Sequence, residues 1–372
     1  MTNAIDVPAE FTERKTVPVT PVQLLGPTGE LRPEAAVTDV RADAVRALYR
    51  DMVLARSLDQ EAYHLQRQGE LGLWLSCRGQ EAAQVGSIRA VRDTDHVFPS
   101  YREHAAALCR GVGPAEMLTQ WRGTAHGGWE PDDYRFHITS LVLSTQLLHA
   151  TGYALGVAAD RRKDPSLDEI VLCYFGDGSA SQGDANEAFN WAAVTNAPIV
   201  FFCQNNQWAI STPTTAQSRT PLHVRAAGFG LGTTVVDGND VLAVQAATEA
   251  AAATVRAGGL PQLVEAITYR MAGHSTSDDP GRYRDNEEVQ LWEQRDPLAR
   301  VRRLLEAKGW ADDAYFASLE TEAEALAEET RNACRALEAP PLEDTFRHTL
   351  VDETPALRRE REQYTAWKDS FA

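Results

Sequence analysis

The sequence is poor in cysteine, with five in 372 residues and no C-x-x-C pair. That excludes a disulfide framework or structural zinc site and leaves buried free thiols in a reducing compartment as the expectation. No apolar run approaches the roughly 18 residues that a membrane span needs. The first ten residues carry Asp6 and Glu10 and no apolar stretch, unlike a secretory signal or an Arg-rich transit peptide. A cytoplasmic location is expected, with a processed organellar protein as the alternative. Basic residues are also short: 36 Lys and Arg face 53 Asp and Glu, a net charge of −17. That field repels nucleic acid and anionic membranes, so neither is expected as a partner. An anionic ligand would need a local patch of opposite sign. Internal repeats and low-complexity tracts are missing, and the alanines at 246–253 read as a helix former.

The chain does have 43% apolar residues and eight Trp, which exclude global disorder. At about 150 residues per domain, its length suggests roughly two domains, or one large domain with extensions. Residues 1–35 are Pro-rich and read as an extended arm, lying on a neighbouring surface or loose. Helical periodicity runs from Ala42 to Gln68 and stops at Gly69. Further helices are expected at 79–92 and 103–121, with a turn around Asp93–Asp95 between them. Then the pattern changes. Glu169–Phe175, Pro198–Cys203, Thr233–Val236 and Gln262–Ile267 read as buried strands, with helices at Gln182–Val194 and Val241–Ala257. This alternation implies an α/β fold, a mostly parallel sheet with helices on both faces. Charged helices are expected over 285–337, then a mixed tail.

The chemically informative segment is Gly176-Asp177-Gly178-Ser179-Ala180-Ser181-Gln182-Gly183, directly after a strand. Glycines there allow close backbone approach, and the following helix N-terminus offers N–H groups to phosphate. The glycine spacing does not fit the dinucleotide pattern G-x-G-x-x-G, and the next strand ends in Gln204-Asn205-Asn206 with no acidic residue. Asp177 and Asn206 each follow a strand, which places both in the crevice where open parallel sheets bind ligands. One carboxylate and one amide oxygen are hard ligands suited to Mg2+, which also recruits phosphate.

The GDG with NN about thirty residues on resembles the thiamine diphosphate fingerprint. Wider stretches resemble the alpha subunit of the decarboxylating component of 2-oxo acid dehydrogenase complexes. These are QRQGELG at 66–72, RGQEA at 78–82, YREH at 101–104, TSLVLSTQ at 139–146, NNQWAISTPT at 205–214, VDGND at 236–240 and YRMAGHSTSDDPGRYR at 269–284. The resemblance implies a thiamine-diphosphate-binding fold with three parts: an arm over 1–40, the α/β domain over 41–285 and a helical region with tail over 286–372. It implies Asp177, Asn206 and the Trp208 carbonyl as magnesium ligands, and Gly178 and Ser179 N–H groups, Tyr101 and Arg102 on the diphosphate. Leu143 matches the position beneath the aminopyrimidine, and His274 the active-site histidine. Ser140, Thr145 and Gln146 match a potassium (K+) site of branched-chain relatives. Relatives from animal mitochondria have an arginine where this chain has Gln204, so one diphosphate contact is expected to be absent or supplied elsewhere. Ser275 matches a phosphoacceptor position, yet kinase control is not expected here. His126 is a candidate for the site entrance.

The implied reaction is decarboxylation of a 2-oxo acid, with thiamine diphosphate as electron sink, followed by reductive acylation of a lipoyl group on a partner acyltransferase. The second domain, which binds the pyrimidine, has no counterpart in this sequence. A separate beta subunit in an alpha2beta2 heterotetramer is therefore expected. The branched-chain type is the first expectation, with Leu71–Leu75 as a wall for an aliphatic tail. Pyruvate or acetoin as substrate, and a non-catalytic cofactor-binding scaffold, are the alternatives.

Overall fold

The computed structural model describes residues 19–37, 40–347 and 349–371. Residues 1–18 of the expected arm therefore lie outside the described residues. The main sheet is built from β1 (His96–Phe98), β2 (Val171–Gly176), β3 (Ile199–Asn205), β6 (Gly232–Asp237) and β7 (Gln262–Ile267). A small hairpin, β4 (Trp208–Ala209) with β5 (Thr212–Pro213), stands apart from it. The sheet order is β1-β2-β3-β7-β6, and every pairing in it is parallel. Register sets Gly176 beside Gln204, and Asn205 beside Ile267. The carboxyl ends of β2 and β3 are thus level, and the loops after them begin side by side.

The strands read as continuous apolar runs because both faces are covered. Leu172, Tyr174, Val200, Phe202 and Val264 belong to one core. Val171, Cys173, Phe175, Ile199, Phe201 and Leu263 belong to the other. Each fully buried Phe or Leu side chain contributes about 1.5–3 kcal/mol. The first face is covered by α2 (Glu81–Arg89) and α10 (Val241–Arg256), with α1 (Ala42–Arg67) outside them. The second is covered by α6 (Thr145–Lys163), α7 (Gly183–Thr195) and α9 (Leu222–Gly228). The expected α/β class with helices on both faces is what the chain adopts.

Several elements depart from the sequence expectation. β1 falls just after the expected turn, and α6 fills a stretch that showed no clear helical stripe. The single helix expected at 103–121 is two, α3 (His104–Cys109) and α4 (Pro114–Arg122). Gly111 between them has φ +89°, a left-handed value that an unbroken helix excludes. Short single turns complete the middle of the chain, α5 (Pro131–Tyr134) and α8 (Thr214–Gln217).

The charged C-terminal region forms α11 (Asn286–Glu293), α12 (Pro297–Lys308) and α13 (Asp313–Ala336). Asp296 caps α12 through the N–H groups of Leu298 and Ala299, and Gly309 at φ +61° ends it. Val301, Leu304, Leu305, Phe316 and Leu319 from α12 and α13 join the first core. These helices pack on α1, so they brace the sheet from outside. At the other edge, Val22 bridges to Val236 of β6, with Val22 N–H donating to Val235 O at 2.9 Å.

Candidate active site

A cavity of about 390 Å³ opens at the carboxyl ends of β2 and β3. Its walls include Tyr101, Arg102, Leu143, Asp177, Gly178, Ser179, Asn206, Trp208 and His274. Every residue assigned above to the diphosphate, the pyrimidine, the magnesium ion or catalysis therefore meets in one space. Ser140, Thr145 and Gln146 are not among its walls. They lie in the loop before α6 and in its first turn, where the Gln146 Nε2 donates to Tyr174 O at 3.0 Å and its Oε1 has no partner. His126 is exposed and also lies outside the cavity walls.

Asp177 follows β2 and is buried. Its Oδ2 accepts from Thr214 Oγ1 and from Gln217 Nε2, each at 2.9 Å. Its Oδ1 is buried without a partner. Burial raises the carboxyl pKa above the ordinary value, opposed by the hydrogen bonds from Gln217 and Thr214. A buried carboxylate oxygen with no donor is costly, and a hard cation would satisfy it. The donor set fits Mg2+: one carboxylate, the Asn206 amide and the Trp208 carbonyl. Among the described residues no three His, Cys, Asp or Glu side chains converge as a metal cluster.

Asn206 is fixed by Gln80, whose Oε1 accepts from Asn206 Nδ2 at 3.2 Å, and by the Trp208 N–H on its Oδ1 at 3.2 Å. Gly178 sits where a Cβ would meet Ala209 Cβ at 2.8 Å, so only glycine allows the β4 hairpin this close. The turn after it uses the N–H groups of Ala180, Ser181 and Gln182.

Arg102 is buried at the cavity wall. Its Nη1 donates to Ser76 O at 2.7 Å, its Nη2 donates to His274 O at 2.9 Å and lies 3.3 Å from His274 Nδ1. Burial, then Arg102 and Arg270, push the His274 pKa down to about 3, against the pull of Asp278. The ring is therefore neutral near pH 7. With Nδ1 facing an Arg N–H, its proton sits on Nε2. Asp278 Oδ2 accepts from the His274 N–H at 2.6 Å and from the Tyr283 hydroxyl. Arg270, fully buried, donates to Trp208 O, Ile210 O and the Tyr283 hydroxyl. It thus ties the loop bearing Trp208 to the loop bearing His274.

Gln204, in place of the expected arginine, belongs to a buried polar network. Its Nε2 donates to Glu103 Oε1 at 2.5 Å, and its Oε1 accepts from Gln84 Nε2 at 3.1 Å. Burial pushes the Glu103 carboxyl up. Of the Leu71–Leu75 stretch, Leu73 and Leu75 reach the cavity, while Leu71 and Trp74 are buried in the core. Glu103, Thr214, Gln217, Arg270 and Asp278 received no role from the sequence. Glu103, Thr214, Arg270 and Asp278 lay inside the quoted stretches, which was the signal available, and Gln217 lay outside them.

The class defined by this fold and cavity is an open α/β protein with its ligand crevice at the carboxyl ends of two neighbouring parallel strands. The chain belongs to the dehydrogenase E1 component family, whose profile matches residues 49–342. It is 43% identical over 358 residues to the 3-methyl-2-oxobutanoate dehydrogenase subunit alpha of Mycobacterium tuberculosis, covering 94% of this chain and 95% of that protein. It is 40% identical over 282 residues to the mitochondrial 2-oxoisovalerate dehydrogenase subunit alpha of Bos taurus, covering 73% of this chain and 61% of that protein. The Homo sapiens counterpart is 39% identical over 282 residues, covering 73% of this chain and 62% of that protein. No helix among the described residues is long and apolar enough to cross a membrane.

Proposed function

We propose that this chain is the alpha subunit of a thiamine-diphosphate-dependent dehydrogenase acting on branched-chain 2-oxo acids, 3-methyl-2-oxobutanoate first among them. The observation that carries the reading is the single cavity gathering Arg102, Asp177, Asn206 and His274 from four separate segments. Likeness to the mycobacterial alpha subunit over 94% of the chain supports the choice of substrate.

On this reading Asp177, Asn206 and the Trp208 carbonyl hold Mg2+. Arg102, Tyr101 and the N–H groups of Gly178 and Ser179 bind the diphosphate, and Leu143 supports the pyrimidine. The unpaired Oε1 of Gln146 favours a potassium ion shared with Ser140 and Thr145. Bound thiamine diphosphate supplies the electron sink for decarboxylation. The protein binds, orients and excludes water. Neutral His274, with its proton on Nε2, holds or passes a proton or orients the incoming lipoyl group. Leu73 and Leu75 face the aliphatic tail, where each methylene is worth about 1–3 kcal/mol of discrimination.

Residues 41–285 serve as the cofactor-binding unit, and 286–372 are its helical region and tail, of which α12 and α13 brace that unit. Leu141, Val142 and Ile210 are exposed beside the cavity, which suits cover by a beta subunit carrying the pyrimidine-binding domain in an alpha2beta2 assembly. A lipoyl-bearing acyltransferase receives the product, and the assembly works in the cytoplasm.

The test is reconstitution with the beta subunit, followed by calorimetry with thiamine diphosphate and a substrate panel. Binding should need Mg2+ and fall at least about 100-fold in Asp177→Ala, which removes a buried metal ligand. Turnover of 2-oxoisovalerate should exceed that of pyruvate. Faster turnover of pyruvate would reassign the substrate, and binding without turnover of any 2-oxo acid would leave a scaffold.

A further inference from the structure

Asp177 stands between two cavities. One is the 390 Å³ site already described; the other, about 320 Å³, is lined by Thr214, Gln217, His223 and Glu265 among others, with Asp177 in its wall as well. The two oxygens of its carboxylate have different surroundings. Oδ2 takes two neutral donors, Thr214 Oγ1 and Gln217 Nε2, which line only the second cavity. Oδ1 has none. The donors are themselves fixed. Thr214 N–H donates to Gln207 O at 3.0 Å, and Gln217 Nε2 also donates to Thr212 O at 3.1 Å. Thr214 Oγ1 lies 3.3 Å from Asn205 Oδ1, and Asn205 Nδ2 is anchored on Glu265 Oε1 at 2.8 Å. The single hydroxyl proton goes to the nearer, charged acceptor.

We infer that Thr214 and Gln217 select the metal ion: by occupying Oδ2 they restrict a bound cation to one oxygen of Asp177, which favours Mg2+ over Ca2+. This deepens the proposed function and rests on Asp177 being a metal ligand. Mg2+ takes about six oxygens in an octahedron at about 2.0–2.1 Å, one from each carboxylate. Ca2+ takes about six to eight at about 2.3–2.6 Å and gains from a carboxylate that offers both. A pre-committed Oδ2 denies Ca2+ that second oxygen and costs Mg2+ nothing. Thr214 and Gln217 are positioning residues here, because they act on the ion through Asp177.

The experiment uses the chain assembled with its beta subunit and stripped of metal. Thiamine diphosphate binding is followed by circular dichroism while Mg2+ alone or Ca2+ alone is titrated. The quantity read is the ratio of half-saturating Ca2+ to half-saturating Mg2+. In Thr214→Val/Gln217→Leu this ratio should fall about tenfold, as Ca2+ recovers a second oxygen. Gln217→Leu alone should move it the same way by less, which covers the case of a double variant that does not fold. Thr214→Ser, which keeps the hydroxyl, should hold the parent ratio. An unchanged ratio in the leucine variants, with Mg2+ dependence lost in Asp177→Asn, overturns the selectivity inference alone. Mg2+ dependence that survives Asp177→Asn overturns the metal reading of the site, and this inference with it.

Discussion

Arg102 holds His274 across 172 positions of sequence, its Nη2 donating to the His274 carbonyl at 2.9 Å and lying 3.3 Å from the ring Nδ1. The same guanidinium donates to Ser76 O. Its planar fork serves both carbonyls while its charge faces the cavity, which a lysine ammonium cannot reproduce. Arg102→Lys should therefore weaken thiamine diphosphate binding about 10–100-fold, the value of one charge-assisted hydrogen bond. Calorimetry on the assembled subunits measures it.

Two histidines away from the site set an acid limit on stability. His96 and His137 lie with ring centroids 5.6 Å apart, and His137 stacks on Phe98 at 3.7 Å. Burial, the largest cause for both, lowers each pKa to about 4. Unfolded histidine titrates near about 6.5, so the unfolded chain binds more protons between the two values. Their contribution is whole above about pH 6.5 and declines as pH falls toward the folded value. The melting temperature should drop between pH 7.5 and 5, and the drop should be smaller in His137→Gln. An equal drop in that variant would remove His137 from this account.

Asp240 fastens the N-terminal segment to the sheet. Its Oδ2 accepts from the N–H groups of Leu24 and Leu25 at 2.7 and 2.6 Å, while its Oδ1 caps α10 through Leu242 and Ala243. Asp240→Ala strips four buried donors at once. A loss of about 2–4 kcal/mol in urea unfolding is expected, together with faster proteolysis near residue 24. Asp240→Asn should lose less, since its amide oxygen still accepts.

The five thiols are all free, and four are buried. Burial pushes Cys77, Cys173 and Cys203 well up, and desolvation raises the half-buried Cys109 to about 12. Thiolate is the reactive form. At pH 8 a thiol reagent should therefore label at most one cysteine in the folded chain, against five in denaturant. Rapid labelling of several folded thiols would contradict these surroundings.

The parallel core was legible because strands buried on both faces are unbroken apolar runs. Gln262–Ile267 was read to the residue, and Val171–Gly176 within two. Asp177 and Asn206 were legible for the same reason, each following such a run. β1 was missed because three residues, His96–Phe98, carry no period of their own; only pairing with Val171–Cys173 makes them a strand. α6 was missed because its Ala, Gly and Thr residues leave no clear apolar stripe, and it is a helix by virtue of packing on β2 and α7.

The sequence by itself determined the alternation of strands and helices, and which residues stand at strand ends, because burial and turn chemistry are local. Only the tertiary structure decided what those residues face. It set Arg102 against His274, left Oδ1 of Asp177 bare while Thr214 and Gln217 filled Oδ2, and placed Glu103 against Gln204. These partners are far apart in the chain, and no periodicity encodes such contacts. They form because the parallel register brings the loops after β2 and β3 level at one end of the sheet.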